Sequence, residues 1–159
     1  MVEPIKNISV SHLGGIQVGF RLSSPTLDAS KPTLVLFIPF TTTADYYLPE
    51  FENQTLRSAL NMIAIEPLGH GQTRTKATES FNYWDSAIMS FQLLDALGVE
   101  KAFALGTSQG GWIAARMALL YPDRVRLSLG DTILITFQLT RSTDQRHCCS
   151  RLFNGLGVC

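Results

Sequence analysis

The chain has 159 residues, enough for one domain with a real core. Apolar residues make up 45% and charged residues 16%, a globular rather than a disordered composition. Thirteen basic and thirteen acidic side chains cancel, so nothing in the balance points to nucleic acid or to an anionic membrane surface.

No apolar run approaches the roughly 18 residues that a membrane helix needs. The start, Met1-Val2-Glu3-Pro4-Ile5-Lys6, lacks the charged and apolar regions of a signal peptide. An intracellular protein is therefore expected. Cys148, Cys149 and Cys159 are odd in number and crowd the last dozen residues, which suits neither a disulfide framework nor a zinc site. No metal and no cofactor are expected. The end, Gly157-Val158-Cys159, is neither a peroxisomal address nor a prenylation box.

In chain order, residues 8–10 and 16–21 alternate apolar and polar around Gly14-Gly15, which predicts a β-hairpin. A polar loop spans 23–32. Thr33-Leu34-Val35-Leu36-Phe37-Ile38 is a short continuous apolar run closed by Pro39, the pattern of a strand buried on both faces. A polar loop, Thr41-Thr42-Thr43-Ala44-Asp45, and a weak helix over 46–59 follow. Asn61-Met62-Ile63-Ala64-Ile65 is a second buried strand and runs into the loop Glu66-Pro67-Leu68-Gly69-His70-Gly71-Gln72-Thr73. Residues 82–97 read as a helix whose buried face holds Trp84, Ile88, Phe91 and Leu94, capped by Gly98. A third strand spans 101–105, a helix 109–120 and a fourth strand 124–129. This rhythm predicts an α/β fold: a mostly parallel sheet with flanking helices and an N-terminal hairpin. Residues 131–138 have the content of one more strand. From Leu139 the sequence is polar and unpatterned. The domain is expected over 1–130 and a divergent, poorly ordered tail over 131–159.

Gly106-Thr107-Ser108-Gln109-Gly110 matches Gly-x-Ser-x-Gly between a predicted strand and a predicted helix. On such a turn the serine is strained and its Oγ projects above the sheet. Gly106 and Gly110 keep the strand and helix backbones close, and Gly111, Ala114 and Ala115 keep the helix face slim. The Gln109 N–H, at the helix start, is aimed at a developing oxyanion.

With these residues the chain resembles the α/β-hydrolase fold family over about residues 5–129. Besides the elbow, the loop from Glu66 to Thr73 looks like the family's Asp-x-x-Gly-His-Gly-x-Ser. Tyr121-Pro122-Asp123-Arg124-Val125 also fits. At Phe37-Ile38-Pro39-Phe40-Thr41, Ile38-Pro39 stand where the family often has His-Gly, and the second oxyanion donor maps to Phe40 or Thr41. The Thr41–Asp45 loop and the Gly-Thr-Ser-Gln-Gly-Gly-Trp elbow are similar to those of fungal secondary-metabolite hydrolases, including the AK-, AF- and ACT-type host-selective toxin pathways. That likeness implies a role in toxin biosynthesis and a cytoplasmic or peroxisomal place. The family implies a small-molecule ester or acyl substrate and Ser108 as nucleophile. His70 corresponds to a structural histidine of the family rather than the base, and His12 reads as a surface residue.

The family's acid and base follow the elbow in the order serine, acid, histidine. Asp131 and His147 satisfy that order, but His147 has no predicted strand before it to aim it at Ser108. Family-like sequence stops near Leu129, as in a truncated, inactive paralogue of marginal stability. A serine hydrolase, an inactive remnant, and a lyase or isomerase on the same fold are the three readings.

Overall fold

The computed structural model describes residues 3–76 and 80–129. Strand β1 (Lys6–Val10) pairs antiparallel with β2 (Ile16–Leu22), from Lys6 opposite Phe20 to Val10 opposite Ile16. A single 3-10 turn over His12–Gly14 joins them, and Leu13, Gly14 and Gly15 take positive φ there (50°, 74° and 124°). His12 is more than a surface residue. It is half-buried, its N–H donates to Gln92 Oε1 at 2.9 Å, and its Nε2 lies 3.0 Å from Asp85 Oδ1. The hairpin turn is thereby tied to a helix more than 70 residues away in sequence.

Strands β3 (Thr33–Phe37), β4 (Asn61–Ile65), β6 (Ala102–Gly106) and β7 (Val125–Leu129) form the parallel part of the sheet. The order across the sheet is β1-β2-β4-β3-β6-β7, so β3 is central. The short β5 (Arg74–Thr75) adds to β2 opposite Ile16 and Gln17. Two such residues carry no period of their own, and their pairing exists only because the loop before them folds back.

Every residue of β3 and β4 is buried, as an apolar strand covered on both sides must be. The side chains sort by parity into two cores. Val35, Phe37, Ile63 and Ile65 face one core with α3 (Tyr83–Ala96) and α4 (Gln109–Leu120). Leu34, Leu36, Met62 and Ala64 face the other, with Tyr47, Phe51 and Leu60.

The helix expected over 46–59 is broken. A 3-10 turn over Ala44–Tyr47 precedes α1 (Leu48–Glu52), and α2 (Gln54–Ala59) follows. Asn53 is the break: its backbone is extended (φ −68°, ψ 113°), and its Oδ1 accepts from Leu56 N–H to cap α2.

In α3, Asn82 caps the start in a reciprocal box with Asp85, and Gly98 ends it at φ 70°. Its buried face differs from the expected stripe. Phe91 and Leu94 are buried, but Trp84 is 41% exposed and Met89, Ser90 and Leu93 are buried instead. Trp84 lies on the rim, where Arg116 of α4 stacks on it, 5.1 Å from the ring centroid, and also faces Tyr83 and Trp112. The last expected strand, 131–138, and the tail to 159 lie outside the described residues.

Candidate active site

Loops leaving the carboxyl ends of β4, β3 and β6 meet, because those strands are neighbours in that order. The elbow follows β6. Ser108 has φ 54° and ψ −118°, a region that a side-chain-bearing residue rarely enters, and α4 begins at the next residue. The turn is closed by Gly110 N–H to Thr107 O (2.9 Å) and Gly111 N–H to Ser108 O (3.0 Å).

The two glycines have distinct obstacles. A Cβ on Gly106 would lie 2.1 Å from the Gly110 carbonyl carbon, and one on Gly110 would lie 2.2 Å from Phe37 O. Gly111 is under no such demand: its Cβ would stand 3.4 Å from the nearest atom, an ordinary contact. So the elbow presses on its own strand at Gly106 and on the central strand at Gly110.

Phe37 O holds the elbow from the β3 side. It accepts Thr107 N–H at 3.2 Å and the Tyr47 hydroxyl at 2.9 Å. Burial pushes the Tyr47 phenol up from 10.0 to about 12, with a hydrogen bond to Thr107 opposing the rise. No local sequence pattern marks a tyrosine that bonds a carbonyl ten residues back, so this contact is legible only in the fold.

Of the expected oxyanion donors, Gln109 is the first residue of α4, where a backbone N–H has no acceptor within the helix. Its side chain is 5% exposed and lies 2.9 Å from His70 Nε2. Phe40 follows β3 and is 64% exposed, and its ring meets the His70 ring edge-on at 5.5 Å between centroids. Thr41, the alternative donor, takes φ 64° and turns its hydroxyl onto Phe40 O.

The Gly-rich loop is built around Glu66, whose carboxyl is wholly buried. One oxygen accepts Ala44 N–H at 3.0 Å and the other Gln72 N–H at 2.6 Å. Thr73 Oγ1 donates to Glu66 O at 2.6 Å and accepts Gly19 N–H at 2.9 Å. Gly71 must be glycine, since its φ is 50° and a Cβ would fall within 2.0 Å of the Glu66 carboxyl carbon.

His70 does not serve Ser108 as a base here. Its Nδ1 lies 3.2 Å from Leu68 O, which only accepts, so Nδ1 carries the proton. Nε2 then accepts from the Gln109 amide. Among the described residues no side-chain base is hydrogen-bonded to Ser108 Oγ. Asp131 and His147, the candidates from chain order, lie outside those residues. No cluster of three or more His, Cys, Asp or Glu able to hold a metal occurs among the described residues. No helix among them is long and apolar enough to cross a membrane.

The chain is similar to several bacterial proteins. It is 36% identical over 93 residues to 2-hydroxymuconate semialdehyde hydrolase of a Pseudomonas species, covering 56% of this chain and 32% of that one. It is 52% identical over 42 residues to homoserine O-acetyltransferase of Thermus thermophilus, covering 26% of this chain and 11% of that one. Among solved structures, a probable hydrolytic enzyme from Pseudomonas aeruginosa superposes with a TM-score of 0.69 at 25% identity, over 79% of this chain and 40% of that one. Another Pseudomonas aeruginosa hydrolase, at 24% identity, shares the fold with a TM-score of 0.69 over 97% of this chain and 53% of that one. The chain thus spans no more than about a third of these curated relatives and about half or less of the solved chains. The family model for the alpha/beta hydrolase fold matches residues 32–127, from β3 through the elbow to β7, and the chain belongs to that family.

Proposed function

We propose that the chain carries the nucleophile and oxyanion hole of a serine hydrolase acting on a small ester or related acyl compound. The observation that carries this reading is the backbone of Ser108 at φ 54° and ψ −118°. Such strain needs compensation from its surroundings, and here Gly106, Gly110 and the Phe37 carbonyl provide it. Ser108 Oγ attacks the acyl carbon. The carbonyl oxygen becomes an oxyanion and takes hydrogen bonds from Gln109 N–H and Phe40 N–H. The serine proton passes to the base, the tetrahedral intermediate collapses, and the leaving alcohol departs with that proton; water then attacks the acyl-serine, releasing the carboxylic acid and returning the proton to Ser108 Oγ. Asp131 and His147 are proposed as acid and base on chain order alone.

The relatives include hydrolases and an acetyltransferase, and the acetyltransferase by its name moves an acyl group. The finer reading, a fungal secondary-metabolite hydrolase of host-selective toxin type acting in the cytoplasm or peroxisome, is supported by the Thr41–Asp45 loop and the elbow sequence. The second reading, an inactive paralogue, rests on the polar, unpatterned sequence that follows Leu139.

A fluorophosphonate probe tests the proposal. Labelling of the folded chain that disappears in Ser108→Ala supports a working nucleophile. An unlabelled folded chain refutes it and leaves the paralogue.

A further inference from the structure

We infer that His70 is a positioning residue that sets the spacing of the oxyanion hole by bridging its two halves. The inference rests on the reading of Gln109 and Phe40 as the donors.

Those donors leave different strands, β6 and β3, and are 69 positions apart in sequence. The sheet joins their strands where Phe37 O accepts Thr107 N–H, three residues before Phe40 and two before Gln109. His70, from a third loop, touches both: its Nε2 accepts from the Gln109 side chain at 2.9 Å, and its ring meets the Phe40 ring at 5.5 Å. Phe40 is largely in solvent, so few contacts hold it, and an edge-to-face ring contact is one that carries direction.

A bridge is useful only if its own base is rigid. The His70 N–H donates to Pro67 O at 3.0 Å, and Thr73 N–H donates to His70 O at 3.0 Å. The next residue, Gly71, is packed on the buried Glu66 carboxyl, whose other oxygen holds Ala44 at the far end of the Phe40 loop. The bond from Nδ1 to Leu68 O chooses the tautomer that leaves Nε2 able to accept. The ring nitrogens therefore divide the work, with Nδ1 fixing the ring in its loop and Nε2 fixing the first residue of α4.

This division makes the two roles separable. Asparagine places an amide N–H near the Nδ1 position and reaches no further. Glutamine places an oxygen near the Nε2 position but abandons Leu68. A residue that merely shapes its loop is rescued by His70→Asn and not by His70→Gln. A bridge to Gln109 shows the reverse.

The readout is the rate at which Ser108 in the full chain reacts with the fluorophosphonate. There the Oγ–P bond forms, the P–F bond breaks, and fluoride leaves while the hydroxyl proton goes to base or solvent. His70→Asn, which loses both contacts, is expected to react about 10- to 100-fold more slowly, and His70→Gln, which keeps the bond to Gln109 but not the ring against Phe40, about threefold more slowly, since small misplacements near reacting atoms have costs of that order. Gln109→Met keeps the backbone donor and removes the side-chain one. It should slow the reaction nearly as much as His70→Asn, and adding it to His70→Asn should slow it no further. Equal rates in His70→Asn and the unaltered chain overturn the inference, as does a His70→Gln variant as slow as His70→Asn.

A chain that never labels refutes the hydrolase reading without deciding this one. The backbone amide resonances of Phe40 and Gln109 then decide it. That of Gln109 should shift in His70→Asn and Gln109→Met and stay near its unaltered position in His70→Gln, whereas that of Phe40 should shift in both His70 variants, which lack the ring. A Gln109 resonance unmoved in His70→Asn, or a Phe40 resonance unmoved in both His70 variants, overturns the bridge.

Discussion

Replacing Gly110 by alanine tests whether the elbow is pressed against the central strand. The added Cβ would lie 2.2 Å from Phe37 O, 2.7 Å from Phe37 C and 2.8 Å from Phe37 Cβ. Contacts under 3.0 Å are not sustained, so the start of α4 must retreat from β3 by about 0.8 Å. The obstacle is backbone at the centre of a parallel sheet and cannot rotate away. Overpacking of this kind costs about 3 kcal/mol. The retreat also stretches the 3.2 Å bond from Thr107 N–H to Phe37 O, worth about 1 kcal/mol. Alanine in place of glycine in a helix returns about 1 kcal/mol. The net expectation is a loss of about 3 kcal/mol, a large share of the roughly 5–15 kcal/mol of a typical domain. Gly111→Ala supplies the contrast. It is in the same helix, and its Cβ would meet nothing closer than 3.4 Å, so it should be neutral or stabilising by up to about 1 kcal/mol. Urea unfolding followed by circular dichroism measures both. If Gly110→Ala matches Gly111→Ala in stability, the packing argument for the elbow is wrong.

The raised phenol of Tyr47 has a consequence at high pH. The folded state holds that proton more tightly than the unfolded chain, so its stabilisation is complete below pH 10.0 and is lost as pH climbs through about 12. Tyr47→Phe should cost about 1 kcal/mol at neutral pH through the bond to Phe37 O and should flatten the alkaline loss, both read by urea unfolding across that range. Glu66→Gln should cost about 1–3 kcal/mol, because one oxygen cannot accept from both Ala44 N–H and Gln72 N–H and the new NH₂ faces a backbone donor; an unchanged urea midpoint would count against that account. Arg116→Ala should shift the fluorescence of Trp84 and Trp112, the two tryptophans of the chain, and cost about 1 kcal/mol as the stacked guanidinium is lost; an unaltered emission maximum would show that the stacking is not held in solution.

Local patterns determined the elements that are buried on both faces and the elbow between strand and helix. Runs such as 33–38 and 61–65 can hide only inside a sheet covered on both sides, so their strands and their parallel pairing followed from composition alone. The elbow was legible because its glycines and its serine are consecutive, and the strain they answer is a property of five residues. The order of strands made the three site loops neighbours, which no run of residues states. The break at Asn53 depended on a cap competing with a weak helical pattern. Trp84 fell on the expected apolar stripe, yet the guanidinium of Arg116, 32 positions on, gave it a partner at the surface. His12 found Asp85, Tyr47 found Phe37 O, and His70 found Gln109. Each of these is a directional contact between a single pair of side chains or a side chain and a carbonyl, with no period to announce it. Periodicity records which face of an element is dry, whereas the partners that orient a nucleophile are chosen when the elements pack. Ser108 could thus be named from sequence, and the tertiary structure alone decided what surrounds it.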